Sequence, residues 1–293
     1  MTMPKITIIT PSYQQGKFLE RTLQSVLSQK IPDLEYLVMD GGSTDESVSI
    51  LKRYETQLTW VSERDAGQAH AVNKGLRQAQ GEIIGWLNSD DVYYPNAIQS
   101  VLQYFAAHPD VDVVYGCADH IDEQDAVIAP YPTEAWNIER LKNTCYLSQP
   151  AVFFRKRILA EKGMLNEKLN FCMDYEFWLR LGLSGVSFAY LPQVLAGSRL
   201  HDQTKTLSAP LKAHYEAMHM LREKIGYAPA SWLMNYAVTL VKSKTQLHSP
   251  QWRYVFAVWM VAGVASLRTN GLLGGLRSFA TLPCDMLALR KAA

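Results

Sequence analysis

Cysteine is scarce in this chain of 293 residues. Cys117, Cys145, Cys172 and Cys284 are too few and too scattered for a disulfide framework or a paired-cysteine zinc site. Long apolar runs are lacking as well. The apolar, uncharged stretch Tyr254 to Leu267 has 14 residues between Arg253 and Arg268, short of the ~20 that a membrane-spanning helix needs. The opening Met1-Thr2-Met3-Pro4-Lys5 leads into a few apolar residues rather than a signal-peptide core. These absences point to a reducing, cytoplasmic setting. No charge of one sign dominates, since 29 Lys and Arg meet 28 Asp and Glu for a net charge of +1. That balance argues against a nucleic-acid binder held by phosphate contacts. Glycine signatures for nucleotides are missing too: no GxGxxG follows the first predicted strand. Gly16-Lys17 lacks both the upstream Gly and the following Ser or Thr of a P-loop.

What is present is apolar material, 48% of the chain against 19% charged residues, enough to bury a sizeable core in one large domain or two. Charge is distributed unevenly. Residues 1–241 carry 22 Lys and Arg against 27 Asp and Glu, whereas residues 242–293 carry 7 against 1. The first 120 residues alternate between two periodicities, as strands joined by crossover helices do. Strands are predicted at Ile6–Thr10, Leu34–Met39, Leu58–Ser62, Ile83–Leu87 and Val111–Gly116. Helices are predicted at Lys17–Gln29, Asp45–Tyr54, Gln68–Gln78 and Pro95–Ala107. From 118 to about 200 the alternation loosens, with strand-like Ala151–Phe154 and Phe188–Leu191 and a helix at Asp174–Leu183. After Pro210 the pattern is helical, broken near Tyr227-Ala228-Pro229, Ser249-Pro250 and Asn270–Gly275. The expected division is a catalytic domain over 1–209, with halves 1–117 and 118–209, and a helical region over 210–293.

In open parallel sheets, ligands bind beyond the carboxyl ends of the strands. Here those ends are polar: Thr10-Pro11-Ser12-Tyr13, Asp40-Gly41-Gly42-Ser43-Thr44-Asp45, Glu63-Arg64-Asp65 and Asn88-Ser89-Asp90-Asp91. Carboxylates approach a diphosphate only with a cation between them, and Asn88-x-Asp90-Asp91 offers hard oxygen ligands for Mg²⁺ or Mn²⁺. The same two aspartates would equally serve as caps for the helix that follows.

These motifs, in this order, together with Asn73-Lys74-Gly75, Met173-Asp174-Tyr175-Glu176-Phe177-Trp178 and His201, resemble the inverting family 2 glycosyltransferases over residues 4–205. The resemblance implies an α/β GT-A fold: a Rossmann-like, mainly parallel central sheet with helices on both faces, followed here by a helical tail. It implies a nucleoside-diphosphate sugar as donor and a glycan or lipid-linked acceptor, in polysaccharide or glycolipid synthesis. By the same resemblance Pro11, Ser12, Tyr13 and Asp40 hold base and ribose, and Glu63 and Asp65 form a second base-contacting pair. Lys74 belongs to the donor side, Asp90 and His201 hold the cation, and Asp174 is the base that deprotonates the acceptor hydroxyl. Two positions depart from the family pattern. Asn88 stands where the Asp-x-Asp motif begins; it offers a ribose hydrogen bond but no charge, so the metal would rest chiefly on Asp90. Met173 replaces the Glu before the catalytic Asp, and Glu176 then orients the site or meets the acceptor.

Each residue also has a plainer reading: Gly41-Gly42 as a turn, Glu63 and Asp65 as solvated charges, His201 as a loop histidine, Asp174 as a helix cap. Phe171, Tyr175 and Trp178 read as core or as a sugar platform, and Gln149-Pro150-Ala151 as the acceptor-side lining. Two rival functions are a sugar nucleotidyltransferase, disfavoured by the glycine-poor, lysine-poor first loop, and a non-catalytic sugar- or membrane-binding scaffold. The tail carries a stripe of Trp232, Leu233, Tyr236, Ala237, Leu240 and Val241. Its Tyr254–Leu267 segment is apolar nearly all round and flanked by Arg253, Arg268 and Arg277. That pattern suits peripheral contact with an anionic membrane, packing on the body of the protein, or a homodimer.

Overall fold

The computed structural model describes residues 5–245 and 252–289, with backbone alone for Thr206, Trp252 and 272–289. The opening Met1–Pro4, the break at Ser249-Pro250 and the side chain of Arg277 lie outside the described residues. Compactness divides the chain into Met1–Trp136 with Tyr146–His201, and Asn137–Cys145 with Asp202–Ala293. Where the sequence suggests a boundary at 209/210, the second unit begins at Asp202 and takes in one earlier helix.

The first unit is built on one mixed sheet. Its strands are β1 (Ile6–Ser12), β2 (Glu35–Asp40), β3 (Thr59–Ser62), β4 (Ile83–Trp86), β5 (Val92–Tyr93), β6 (Val113–Ile121), β7 (Val127–Pro130), β8 (Val152–Arg155) and β9 (Phe188–Arg199). They lie in the order β3-β2-β1-β4-β8-β6-β9-β5, with β7 beside β6. The pairs β3/β2, β2/β1 and β1/β4 are parallel, as the alternating pattern predicts. Beyond β4 the sheet becomes mixed: β8 runs antiparallel to both β4 and β6, β9 is parallel to β6, and β5 is antiparallel to β9. The order reverses direction between β1 and β4, and such a switch point opens a crevice at the strand ends. Ser12 and Asn88 flank it.

Five helices of this unit are α1 (Gly16–Leu27), α2 (Ser47–Arg53), α3 (Gln68–Gln78), α4 (Ala97–Ala107) and, after the excursion α5 (Ile138–Asn143) into the second unit, α6 (Ile158–Lys162). The sixth is α7 (Met173–Leu183). α1 buries Phe18, Leu19, Thr22, Leu23 and Val26, the stripe its periodicity predicts. Its N-terminus has no local cap; the Gly16 N–H donates to Asp45 Oδ2 at 2.8 Å, from the loop after β2. α4 starts at Ala97 rather than Pro95, because Asn96 takes a left-handed φ of 67°. α7 packs Phe177 and Trp178 edge-on against Phe154 of β8. Tyr175, Phe177 and Trp178 are therefore core, not a sugar platform.

The second unit adds α8 (Lys205–Ser208), α9 (Pro210–Ile225), α10 (Ala230–Lys244) and α11 (Trp252–Leu289), which kinks at Gly271, whose φ of 72° is left-handed. Gly226, at φ 85°, ends α9 in the left-handed conformation that suits glycine. Asn270 brackets Ala228 with two hydrogen bonds, of 2.7 and 3.0 Å. Met234, Ala237 and Val241 of α10 pack on Tyr254, Val258 and Ala262 of α11. The Tyr254–Leu267 segment is thus two-faced rather than uniformly buried. Phe256, Met260, Val264 and Leu267, spaced as one helix face, are 41 to 59% exposed. Among the described residues no helix is long and apolar enough to cross a membrane.

The approach of β1 to Gly81, two residues before β4, is close. A Cβ on Gly81 would lie 2.5 Å from the Thr7 nitrogen and 2.7 Å from the Ile6 carbonyl carbon, and main chain cannot swing aside. Gly81→Ala is expected to cost about 1–3 kcal/mol, seen as a lower urea midpoint at unchanged slope. An unchanged midpoint would show that the strand ends are looser than this packing implies.

Candidate active site

The ends of β1, β2 and β3 are laced together. The Gly41 N–H donates to the Ser12 carbonyl at 2.8 Å and the Glu63 N–H to the Asp40 carbonyl at 3.0 Å. Asp40 is fully buried and its carboxylate faces inward. It accepts from the Ser43 N–H (2.8 Å), the Gly42 N–H (3.1 Å), the Ser43 hydroxyl (2.6 Å) and the Ser62 hydroxyl (2.6 Å). The sequence reading has Asp40 facing a nucleotide, but the folded chain uses it to shape the Gly41–Ser43 loop. The groups this leaves at the surface are Tyr13, exposed, and Asp65, half-buried. Both crowd Gly41: a Cβ there would lie 2.8 Å from Asp65 Oδ2 and 3.2 Å from the Tyr13 ring. Pro11 and Ser12 are buried beside them, and the Ser12 hydroxyl has no hydrogen-bonding partner among the described residues. An orphaned buried hydroxyl at a switch-point crevice is the kind of group a ligand satisfies. Glu63 pairs with Lys74 of α3 at 2.7 Å, and this hydrogen bond holds the Glu63 carboxyl below the usual carboxylate value.

At the end of β4, Asn88 is a four-way junction. Its Oδ1 accepts from Gln68 Nε2 (2.7 Å) and the Trp86 indole N–H (2.9 Å), and its Nδ2 donates to Asp91 Oδ2 (3.2 Å) and Gln149 Oε1 (2.8 Å). Its amide is engaged within the protein rather than presented to a ribose. Asp91 is buried, accepting also from the Arg199 N–H at 2.9 Å; burial, then the neighbouring Asp90 charge, push its carboxyl well above the usual range. Asp90 remains half-buried, and its Oδ2 lies 3.0 Å from His201 Nε2. The His201 ring rests on Phe18, centroids 4.8 Å apart. Carboxylate and imidazole are suitable donors for Mn²⁺ or Mg²⁺, which commonly take one or two side chains and leave other positions to water and phosphate. Among the described residues no group of three or more His, Cys, Asp and Glu is assembled for a metal, so a cation here rests on this pair.

Asp174 sits half-buried in the first turn of α7. Glu176 is turned inward, buried and ion-paired with Arg180 Nε at 2.9 Å. Arg180 in turn donates to the carbonyls of Lys162 and Met164. Of the two roles read from the sequence, orienting the site and meeting the acceptor, this pairing fits the first: the Glu176 charge pins the loop leading toward α7. Asn73 grips the same loop from α3, making two hydrogen bonds with the Leu165 main chain at 2.9 and 3.0 Å. Sequence reasoning missed the roles of Asn73, Gln68, Trp86, Phe18 and Arg199. Asn73 carried a signal in the Asn73-Lys74-Gly75 motif, and Arg199 in its place two residues before His201.

The junction at Asn88 explains why an Asp is unwelcome there. Asn88→Asp would remove the donors to Asp91 and Gln149 and set a second carboxylate against a buried one. It is expected to cost about 3 kcal/mol near neutral pH. Because the Asp91 carboxyl is already raised above its unfolded value, the loss should be small near pH 4 and grow as pH rises. Urea unfolding at pH 5 and pH 8 checks this; a pH-independent difference would contradict it.

The chain is similar to known proteins in sequence and in fold. The family model of glycosyl transferase family 2 matches residues 7–166. An uncharacterized glycosyltransferase of Rickettsia typhi is 27% identical over 73% of this chain and 70% of its own length. A chondroitin synthase of Escherichia coli is 26% identical over 76% of this chain, but only 33% of its own. A mannosyltransferase of Pyrobaculum calidifontis, solved with GDP-Man and Mn²⁺, shares the fold with a TM-score of 0.59 at 20% identity, over all of this chain and 80% of that one. With more than half of its length matched by the family model, the chain belongs to glycosyl transferase family 2: it is a glycosyltransferase of the GT-A fold.

Proposed function

We propose that the protein transfers a sugar from a nucleoside-diphosphate sugar to an acceptor hydroxyl with inversion, dependent on Mn²⁺ or Mg²⁺, in the assembly of a cell-surface polysaccharide or glycolipid. The observation that carries this reading is the Asp90–His201 pair at the switch-point crevice, 3.0 Å apart. The bound GDP-Man and Mn²⁺ of the mannosyltransferase and the activity named for the chondroitin synthase support it.

Tyr13 and Asp65 are the groups to receive the base, with the Ser12 hydroxyl completing the pocket and Asp40 holding the Gly41–Ser43 loop against which they lie. Lys74, tied to Glu63, adds positive charge on the donor side. Asp90 and His201 would hold the cation, which when bound supplies charge to offset that building on the leaving diphosphate. Asp174 takes the proton from the attacking hydroxyl in a single displacement.

Purified protein incubated with a panel of nucleotide sugars and Mn²⁺ should release nucleotide from one of them. A nucleotidyltransferase would instead consume sugar phosphate, and a scaffold would release nothing. Asp90→Asn is expected to raise the barrier by at least ~3 kcal/mol, a hundredfold or more in rate. Asp174→Asn should keep donor affinity within a few-fold while transfer falls ~10²- to 10⁴-fold. Loss of donor binding in calorimetry would move Asp174 out of the role of base.

The second unit suggests where the acceptor is met. Its exposed stripe of Phe256, Met260, Val264 and Leu267 is flanked by the exposed Arg253 and Arg268. An apolar face rimmed by cations fits the interface of an anionic bilayer, where each basic residue adds ~1 kcal/mol. The reading is therefore a peripheral protein of the inner face of the membrane. Full-length protein should sediment with anionic vesicles at low salt, and Met260→Asp with Val264→Asp should abolish this without lowering the melting temperature. A dimer in light scattering with no vesicle binding would assign the face to a second copy.

A further inference from the structure

Arg199 closes β9 and is wholly buried, an expensive place for a charge unless it is paired. Its Nε donates to the main-chain carbonyl of Asp90 at 2.6 Å and its Nη1 to the carbonyl of Asp122 at 2.7 Å; its Nη2 pairs with the Asp125 carboxylate. Its own N–H is the donor to Asp91 Oδ1. The guanidinium lies over the Phe18 ring, 5.0 Å from the centroid, and the same ring carries His201. Asp122 and Asp125 belong to the turn joining β6 to β7, which is fastened to α1 by Lys17–Glu123 at 2.6 Å and Arg21–Asp125 at 2.9 Å.

We infer that Arg199 is a positioning residue for the Asp90–His201 pair, setting cation affinity by locking the Asp90 main chain and the Phe18 ring between the β9 end and the acidic β6–β7 turn. The inference rests on the reading of that pair as the cation site. The geometry is specific to the task. The planar fork fixes the Asp90 carbonyl and the turn in one arrangement, which leaves the Asp90 carboxylate to His201. A lysine would supply charge without the fork. The acidic turn compensates the buried charge from outside, so its integrity should be felt at the cation site.

The test is titration of the full chain with Mn²⁺ alone, followed by the electron paramagnetic resonance signal of free Mn²⁺, alongside melting temperatures and Mn²⁺ half-saturation of donor hydrolysis. Arg199→Lys is expected to weaken Mn²⁺ binding 10- to 100-fold, the range for groups that orient metal ligands, with the rate recovering at saturating Mn²⁺. Because a buried arginine can be needed for folding, Asp125→Asn is the second variant. Asp125 holds a left-handed φ of 70°, which asparagine adopts readily, so the turn survives while its charge is lost. It should weaken Mn²⁺ binding several-fold at near-native melting temperature. If Arg199→Lys folds and binds Mn²⁺ like the parent, the inference is overturned; if it does not fold, unchanged binding in Asp125→Asn overturns it. Asp90→Asn in the same titration separates the two levels, since unchanged binding there refutes the cation site itself.

Discussion

The contact between Asp90 and His201 joins groups 111 residues apart, at 3.0 Å, and the second half of the sheet is arranged so that this contact exists. β4 delivers Asp90 to the crevice as part of the parallel half. His201 reaches it only because β9 runs parallel to β6 and antiparallel to β5, its register pairing Gly197 with Val92 just beyond the aspartates. The antiparallel β8 inserted between β4 and β6 makes that return possible. It also brings Gln149, just before β8, against Asn88 and the Trp86 carbonyl.

Around this contact the chain solves a desolvation problem. Asn88, Asp90 and Asp91 stand at the end of a buried strand, and each has a different environment. Asp91 is buried and held by two donors, Asn88 is saturated by four partners, and Asp90 keeps a half-buried carboxylate that faces His201. The uncharged amide at 88 fits that arrangement: it donates to Asp91 and Gln149 while accepting from Gln68 and Trp86, and a carboxylate has no hydrogen to donate. The departure from the family's Asp-x-Asp pattern is thus a local adjustment of hydrogen bonding. The carboxylate that faces His201 is untouched.

The same division between groups that shape and groups that face outward recurs across the site. Asp40 and Glu176 look like functional carboxylates in sequence, yet each is buried in a closed set of donors, the first under the Gly41–Ser43 loop and the second on Arg180. Tyr13, Asp65, Asp90 and Asp174 keep exposed or half-buried side chains. Asn73 and Arg180 hold the 162–165 segment from opposite partners, so α3 and α7 share one loop.

The sequence by itself determined the parallel half of the sheet, the helices between its strands and the polar strand ends, because apolar periodicity and turn chemistry are local properties of the chain. It also placed Asp90 and His201 in one site through the ordered motifs, and marked the helical tail by its basic, apolar composition. Tertiary structure decided the rest. Which carboxylates face inward depends in part on donors far along the chain, such as Ser62 for Asp40, 22 residues away, and the Arg199 N–H for Asp91, 108 residues away. The two faces of α11 are distinguished only by where α10 packs, since an apolar residue at the surface and one in the core are the same letter until a neighbour covers one of them.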